Sequence, residues 1–279
     1  MYIGRFAPSP SGPLHMGSLV AALASYLDAK AHNGLWHLRI EDLDTPRCDP
    51  KYSSQIQSTL SHHGLCWDGS VLLQSDRLLV YHRHIEEIIS KSYGYYCQCT
   101  RKIIKDNAGV HPASCKLNRH NSGAVRFHHL SQTPIFTDRF KGNVSIDDSH
   151  IVDDFVLLRK DGIVAYNLAV VVDDISQHIN HIVRGEDLLT TTPSHLALYK
   201  FFNQPVPSYA HFPVLKDHNG LKLSKQNHAP AICDQTPEHN LKLACQFLEI
   251  DIQSGQNSIN GILSNAIHSW RLKHGLVEG

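Results

Sequence analysis

The chain has 279 residues, with 26 Lys and Arg against 26 Asp and Glu and 42% hydrophobic residues. That length builds one large domain or two small ones with a substantial core. With no net positive charge there is no global field to attract nucleic acid, so any such contact must rest on local patches. The opening MYIGRFAPSP has neither the charged start nor the apolar run of a signal peptide, and the longest apolar stretch, GIVAYNLAVVV, falls well short of the roughly 18 residues of a spanning helix. A cytoplasmic protein without membrane contact is expected. Seven cysteines are an odd number, and Cys48, Cys66, Cys233 and Cys245 are scattered, which suits a reducing compartment. The 21 histidines are dispersed.

YIGRFA reads as a short buried strand that its following prolines end. From Leu19 onward, Leu19, Ala22, Leu23, Tyr26 and Leu27 share one face of a helix, giving strand, tight loop and helix. LWHLRIED is a second strand closing in a burst of charge at Arg39, Glu41, Asp42 and Asp44, where an open parallel sheet presents ligand-facing residues. Helices expected near 50–63 and 77–92 alternate with short apolar runs, the pattern of a doubly wound α/β sheet. Between Tyr95 and Asp161 a cysteine group precedes a polar, glycine-punctuated region with short strands at AVRF and DFVLLRK, read as an insertion. Sheet is expected to resume at IVAYNLAVVVDD and HIVRGEDLL, followed by a helix near 193–202. Beyond KLSKQ comes a small helical appendix, with Thr236 as N-cap before Pro237 and a last periodic segment from about Ser258 to Gly275. The expected division is 1–94 and 162–230 for the two halves of the α/β domain, 95–161 for the insertion and 231–279 for the appendix.

Three stretches carry chemistry. In RFAPSPSGPLHMGS a glycine-containing loop runs into a helix N-terminus, whose N–H groups and dipole favour a phosphate, and His15, Gly17 and Ser18 lie there. In KLSKQ, Lys222 and Lys225 flank Ser224 and can neutralise charge growing on a departing pyrophosphate. Cys97, Cys99, His111 and Cys115 form a C-x-C…H-x-x-x-C set, and three thiolates with an imidazole suit a closed, structural tetrahedral zinc site. The plainer alternative for the last is three unrelated thiols.

The first two loops together resemble the HIGH and KMSKS signatures of class I aminoacyl-tRNA synthetases. GRFAPSPSGPLHMGS and LRIEDLD are similar to the glutamyl branch, and AYNLAVVVDD, IVRGEDLL and KLSKQNHAPA are similar to its shortened paralogues. The resemblance covers residues 2–230 well and the tail loosely. It implies a Rossmann-type catalytic domain with a zinc-containing insertion, using ATP with Mg²⁺ to activate L-glutamate. Arginine forks suit the two carboxylates of glutamate. The implied pocket is Arg5, Phe6, Ala7, Pro8, Ser9, Glu41, Tyr166 and Arg184, with Arg184 nearest the side-chain carboxylate, Glu41 opposite the ammonium and Tyr166 as hydroxyl and wall. His15, Gly17, Ser18, Lys222, Ser224 and Lys225 are implied for ATP, with His15 and Lys225 catalytic. The chain departs from the longer synthetases at Ser18, where the second histidine of HIGH would stand, and at Val170, where an Asn is usual. In the family, zinc is held by three Cys and a Tyr whose place falls on His111, so the fourth ligand stays open.

Residues 227–279 offer no room for the helical anticodon-binding region of a full glutamyl-tRNA synthetase. The resemblance implies instead that glutamate is joined to queuosine in the anticodon loop of tRNA(Asp). A short synthetase charging a tRNA 3′ end and a catalytically silent RNA-binding paralogue are the alternatives, and a monomer is the default expectation.

Overall fold

The computed structural model describes residues 1–107, 111–128, 135–147, 153–215 and 230–276. In chain order its first elements are β1 (Ile3–Phe6), α1 (Met16–Ala31), β2 (Leu35–Ile40), α2 (Pro50–His62), β3 (Leu72–Leu73), α3 (Leu78–Ser90), β4 (Gly94–Cys97), α4 (Arg101–Asp106) and α5 (Ala113–Leu117). There follow β5 (Ala124–Phe127), β6 (Ile135–Asp138), β7 (Gly142–Ser145), β8 (Val156–Leu158), α6 (Tyr166–Ser176), β9 (His181–Gly185), α7 (Thr192–Phe201), β10 (Ser208–Phe212), α8 (Pro237–Phe247) and α9 (Ile259–Lys273). Among the described residues no helix is long and apolar enough to cross a membrane. The chain divides into two compact units, one of Met1–Gln74, Ile179–Asp187 and Pro207–Gly279, the other of Ser75–His178 and Leu188–Val206.

In the first unit β1, β2 and β3 pair in parallel, Ile3 opposite Leu35 and Arg39 opposite Leu72, and β9 pairs in parallel with β10, His181 opposite Ser208. Asn180 joins the two sets where the strands begin. Its backbone N–H donates to Ile3 O at 3.1 Å, its side-chain Oδ1 accepts from Ile3 N at 2.8 Å, and its backbone O accepts from Ser208 N at 2.9 Å. Leu35 N donates to Tyr2 O at 3.0 Å in the same layer. The starts of β1, β2, β9 and β10 are thus gathered at one edge, and their last residues fall at the other.

Helix α1 covers these strands, burying Leu19, Val20, Leu23 and Leu27, and packs against α8 and α9. A buried carboxylate holds this junction: Asp28 accepts from the Tyr2 hydroxyl through Oδ2 and from Trp270 Nε1 at 3.1 Å through Oδ1. Asp28 is fully buried, so each donor it satisfies is one that water cannot reach. Helix α9 is capped as its sequence predicts, with Ser258 Oγ accepting from Gly261 N and Gly275 following at φ 66°. Helix α8 starts at Pro237 as expected, but the Thr236 hydroxyl donates back to Cys233 O at 3.5 Å and makes no cap.

The second unit holds an antiparallel sheet in the order β4-β5-β8, the hairpin β6–β7, and helices α3, α6 and α7. One expectation is corrected here. The stretch IVAYNLAVVVDD, read as sheet, is extended only up to Val164, which bridges to Leu158, and is helix α6 from Tyr166. Leu168 through Asp174 are all buried, so the segment is covered on every side and its hydrophobic pattern has no period that distinguishes helix from strand. Tertiary packing overrides the strand preference of three consecutive valines. Asp173 secures the helix to α3, accepting from Arg77 Nε at 2.7 Å and the Tyr81 hydroxyl at 2.8 Å.

Replacing Asp28 by Ala strands two buried donors and opens a small cavity, with an expected loss of roughly 2–4 kcal/mol in unfolding free energy. Urea denaturation measures it, and a loss below about 1 kcal/mol would show that the junction repacks or rewets without the carboxylate.

Candidate functional site

The loop after β1 is held rigid by the chain that follows β2. Glu41 N donates to Pro8 O at 2.9 Å and Asp49 N to Pro10 O at 3.0 Å. The loop ends at His15, the N-cap of α1, whose Nδ1 accepts from Ser18 N at 3.3 Å while its carbonyl accepts from Ser18 N at 2.9 Å and Leu19 N at 3.0 Å. With Nδ1 accepting, a neutral His15 ring carries its proton on Nε2, which is the nitrogen able to donate to an anion. The Ser18 N–H is committed to the cap. Residues 216–229 are outside the described residues, and with them Lys222, Ser224 and Lys225. The chain is described again beside the first loop: Ile232 N donates to Leu14 O at 3.0 Å, and Ala231 bridges to His15.

The far edge of the parallel strands carries a repeated feature. Arg5, Arg39, Arg184 and His211 are each the penultimate residue of their strand, β1, β2, β9 and β10, and all are buried. In an open parallel sheet this is the edge where ligands bind. Glu41 follows β2 and lies 3.5 Å from Arg39 Nη2. Arg184 donates through Nε to His211 Nε2 at 2.9 Å, and its guanidinium sits 5.1 Å from the centre of the Tyr209 ring. The backbone beside it has no room for a side chain: a Cβ on Gly185 would lie 2.5 Å from Asp187 Oδ1 and 2.9 Å from Val214 Cγ1. Phe6 is buried and stacked on Trp36 at 6.3 Å, Pro8 is buried, Ala7 is half-buried and Ser9 is exposed. Asp44 pairs with Arg47, Nε to Oδ2 at 2.8 Å, and Asp49 caps α2, so part of the charge after β2 only shapes a turn.

Of the residues expected for glutamate, Arg5, Phe6, Ala7, Pro8, Ser9, Glu41 and Arg184 belong to the first unit. Tyr166 opens α6 in the second unit, where its ring centre is 5.6 Å from that of His195, and His195 Nε2 meets Asn167 Oδ1 at 3.1 Å. Val170 is buried in α6. Arg39 was expected only among the ligand-facing charges at the end of β2, without a role of its own, and His211 was not expected as a site residue. The signal for both is position, since each stands next to last in a strand that begins in the same layer as β1.

Cys97, Cys99, His111 and Cys115 come together in the second unit, their ligand atoms within 4.8 Å of one another. A tetrahedral zinc with bonds of about 2.0–2.3 Å separates its donor atoms by roughly 3.5–3.8 Å, so the set fits the ion. Strand pairing places the cluster: Cys97 lies opposite Ala124 in the β4–β5 ladder, and Gly123 takes φ 128° where a Cβ would stand 2.4 Å from Cys97 O. His111 Nε2 is 2.9 Å from Cys97 Sγ, and its Nδ1 is 3.2 Å from the Tyr95 hydroxyl, which donates to Asp154 Oδ2 at 2.7 Å. Asp153 Oδ1 accepts from the His111 backbone N–H at 3.1 Å. Burial lowers the His111 pKa, with Arg126 adding to the effect, so the imidazole is held in the neutral form a metal requires. Burial, with the neighbouring Cys115 and Cys97 thiols adding to it, pushes the Cys99 thiol up to about 12. No disulfide joins the seven cysteines.

Comparison with known proteins accords with this geometry. The family described as tRNA synthetases class I (E and Q), catalytic domain, matches residues 3–122 and 111–240. The glutamyl-Q tRNA(Asp) synthetase of Vibrio parahaemolyticus is 46% identical over 274 residues, covering 98% of this chain and 93% of that protein. Those of Escherichia coli K12 and Idiomarina loihiensis are each 44% identical, covering 97% of this chain and 89% and 97% of the relatives. Among solved structures, a glutamate tRNA ligase from Elizabethkingia meningosepticum in complex with its amino acid superimposes with a TM-score of 0.78 at 25% identity over 95% of this chain. This chain spans 64% of that ligase. Matched along nearly its whole length by sequence and fold, the chain belongs to the class I tRNA synthetases of the E and Q type and, within them, to the glutamyl-Q tRNA(Asp) synthetases.

Proposed function

We propose that the protein activates L-glutamate with ATP, independently of tRNA, and transfers it to queuosine at the wobble position of tRNA(Asp). The observation that carries this reading is identity of 44–47% over most of the chain with proteins named for that activity. Four penultimate side chains gathered at the ligand edge of the sheet support it.

Glutamate brings two carboxylates and an ammonium. Arg184 takes the side-chain carboxylate, Arg5 lies on the same edge, and Glu41, 3.5 Å from the guanidinium of Arg39, faces the ammonium. Phe6, Ala7, Pro8 and Ser9 form the wall that Glu41 N and Asp49 N brace, and Tyr166 supplies a hydroxyl. In the first step an α-carboxylate oxygen bonds to the α-phosphorus of ATP and the bond to pyrophosphate breaks. In the second, a hydroxyl of queuosine bonds to the activated carbonyl and AMP leaves. Catalysis is mostly positioning and charge stabilisation. His15 donates from Nε2 to phosphate oxygens, beside the Gly17 and Ser18 turn at the positive end of α1. Lys225, with Lys222 and Ser224, stabilises the departing pyrophosphate, and Mg²⁺ brought with ATP would help neutralise the phosphate charge. Zinc held by Cys97, Cys99, His111 and Cys115 would supply a structural crosslink for the insertion.

Three outcomes are expected. Labelled glutamate with ATP and Mg²⁺ should enter bulk tRNA from queuosine-containing cells and not tRNA from cells unable to make queuosine. Label in both would indicate a tRNA 3′ end as acceptor, and label in neither with no ATP–pyrophosphate exchange would leave only RNA binding. Lys225→Ala should slow exchange about a hundredfold while glutamate binding stays intact, the scale of a lost transition-state donor, and unchanged exchange would remove Lys225 from the mechanism. Tyr95→Phe should weaken zinc affinity by roughly ten- to hundredfold against a chromophoric chelator, because the ring of His111 loses its orienting partner. Unaltered affinity would show that Tyr95 only packs.

A further inference from the structure

The edge that carries Arg184 holds a second buried side chain with which it makes one well-defined contact. His211 stands opposite Arg184 in the parallel β9–β10 register, both are almost fully buried, and the Arg184 Nε–H donates to His211 Nε2 at 2.9 Å. Below them Tyr209 lies 5.1 Å from the guanidinium carbon and is stacked at 6.0 Å and 8° on the His211 ring. The guanidinium is therefore fixed in two ways, in direction by a hydrogen bond and in plane by an aromatic face.

A guanidinium can meet a carboxylate along its Nε–Nη edge or across its two terminal nitrogens. Donation of Nε–H to His211 withdraws the first edge. We propose that His211 is a positioning residue for substrate recognition: by accepting the Arg184 Nε–H it sets Arg184 to receive the glutamate side-chain carboxylate end-on, through Nη1 and Nη2. For this His211 must carry its ring proton on Nδ1, leaving Nε2 as the acceptor. Two terminal donors also discriminate the amino acid, because a carboxylate presents two acceptors to them and the amide of glutamine presents one acceptor and one donor. The inference rests on the glutamate-activating reading and on Arg184 as its carboxylate ligand.

The test is ATP–pyrophosphate exchange with the full chain, comparing wild type, Arg184→Gln, His211→Phe and His211→Gln, with thermal unfolding run on each. Phe keeps the ring volume and removes the acceptor, whereas Gln places an amide oxygen within reach of Nε. The expected result is that His211→Phe raises the KM for glutamate about tenfold, the scale of one lost charge-assisted hydrogen bond. The KM for ATP and kcat should stay near wild type, and His211→Gln should restore the glutamate KM to within about threefold. A role in packing alone would shift all parameters together or lower the unfolding temperature of both variants equally. An unchanged glutamate KM in His211→Phe, with a raised one in Arg184→Gln, overturns the role of His211 and leaves the activity standing. No glutamate-dependent exchange in wild type, or no effect of Arg184→Gln, overturns the reading beneath it. Should His211→Phe fail to fold, ¹⁵N spectra of the imidazoles in the wild type, assigned by difference with His211→Gln, decide the matter. A proton on Nδ1 supports the inference and a proton on Nε2 overturns it.

Discussion

Asn180 is the contact on which the site depends. Its side chain and backbone bind the start of β1, and its carbonyl binds the start of β10, so the strands on either side begin in one layer. Parallel strands that start in one layer all run toward the opposite edge, although β2 continues two residues past β1, so that Arg5 lies opposite His37 and Arg39 stands further along. The end of each strand is thus directed to the same edge, whatever its distance in sequence. Arg5 and Arg184 are far apart in the chain, and this shared origin makes them members of one edge. Asn180 also donates from Nδ2 to Met1 O at 2.8 Å, so the amide side chain uses both its donor and its acceptor.

That edge concentrates positive charge in a protein that has no net charge. Arg5, Arg39 and Arg184 are 5%, 0% and 4% exposed. Burying a guanidinium is costly unless anions and acceptors meet it, and Glu41, His211 and the face of Tyr209 do part of this. A substrate with two carboxylates complements what such an edge offers. Local concentration of buried cations thus replaces a global field, and it acts at short range, where screening by salt is weak.

The first strand, the proline loop, α1 and the charged end of β2 were legible because each is specified locally, by turn residues, an apolar stripe and a burst of charge. The helices at Pro50–His62, Leu78–Ser90 and Thr192–Phe201 were legible for the same reason, and AVRF, DFVLLRK and the metal set by composition and spacing. Helix α6 was not, because a segment buried on all sides loses the amphipathic period that distinguishes the two kinds of structure. His211 was hidden among 21 histidines, since nothing in YAHFPV marks a residue whose significance is its partner across a parallel ladder. Arg39 was read only as part of a charged strand end, and its burial against Glu41 depends on the sheet being closed over it.

The first loop shows how one imidazole divides its work. His15 uses Nδ1 and its carbonyl to cap α1, and both are met by backbone N–H groups, those of Ser18 and Leu19. The cap is therefore indifferent to the side chain at position 18, which removes one reason for an imidazole there. What position 18 can no longer supply is a second ring donor to phosphate. The donors left at this turn are His15 Nε2 and the first N–H groups of the helix, whose geometry is fixed by the same cap. Under the proposed reading, capping and anion binding would be a single property of the turn. A substitution that loosened the cap would then also turn Nε2 away from a phosphate at the helix dipole, and the prolines that brace this loop would serve its chemistry as well as its fold.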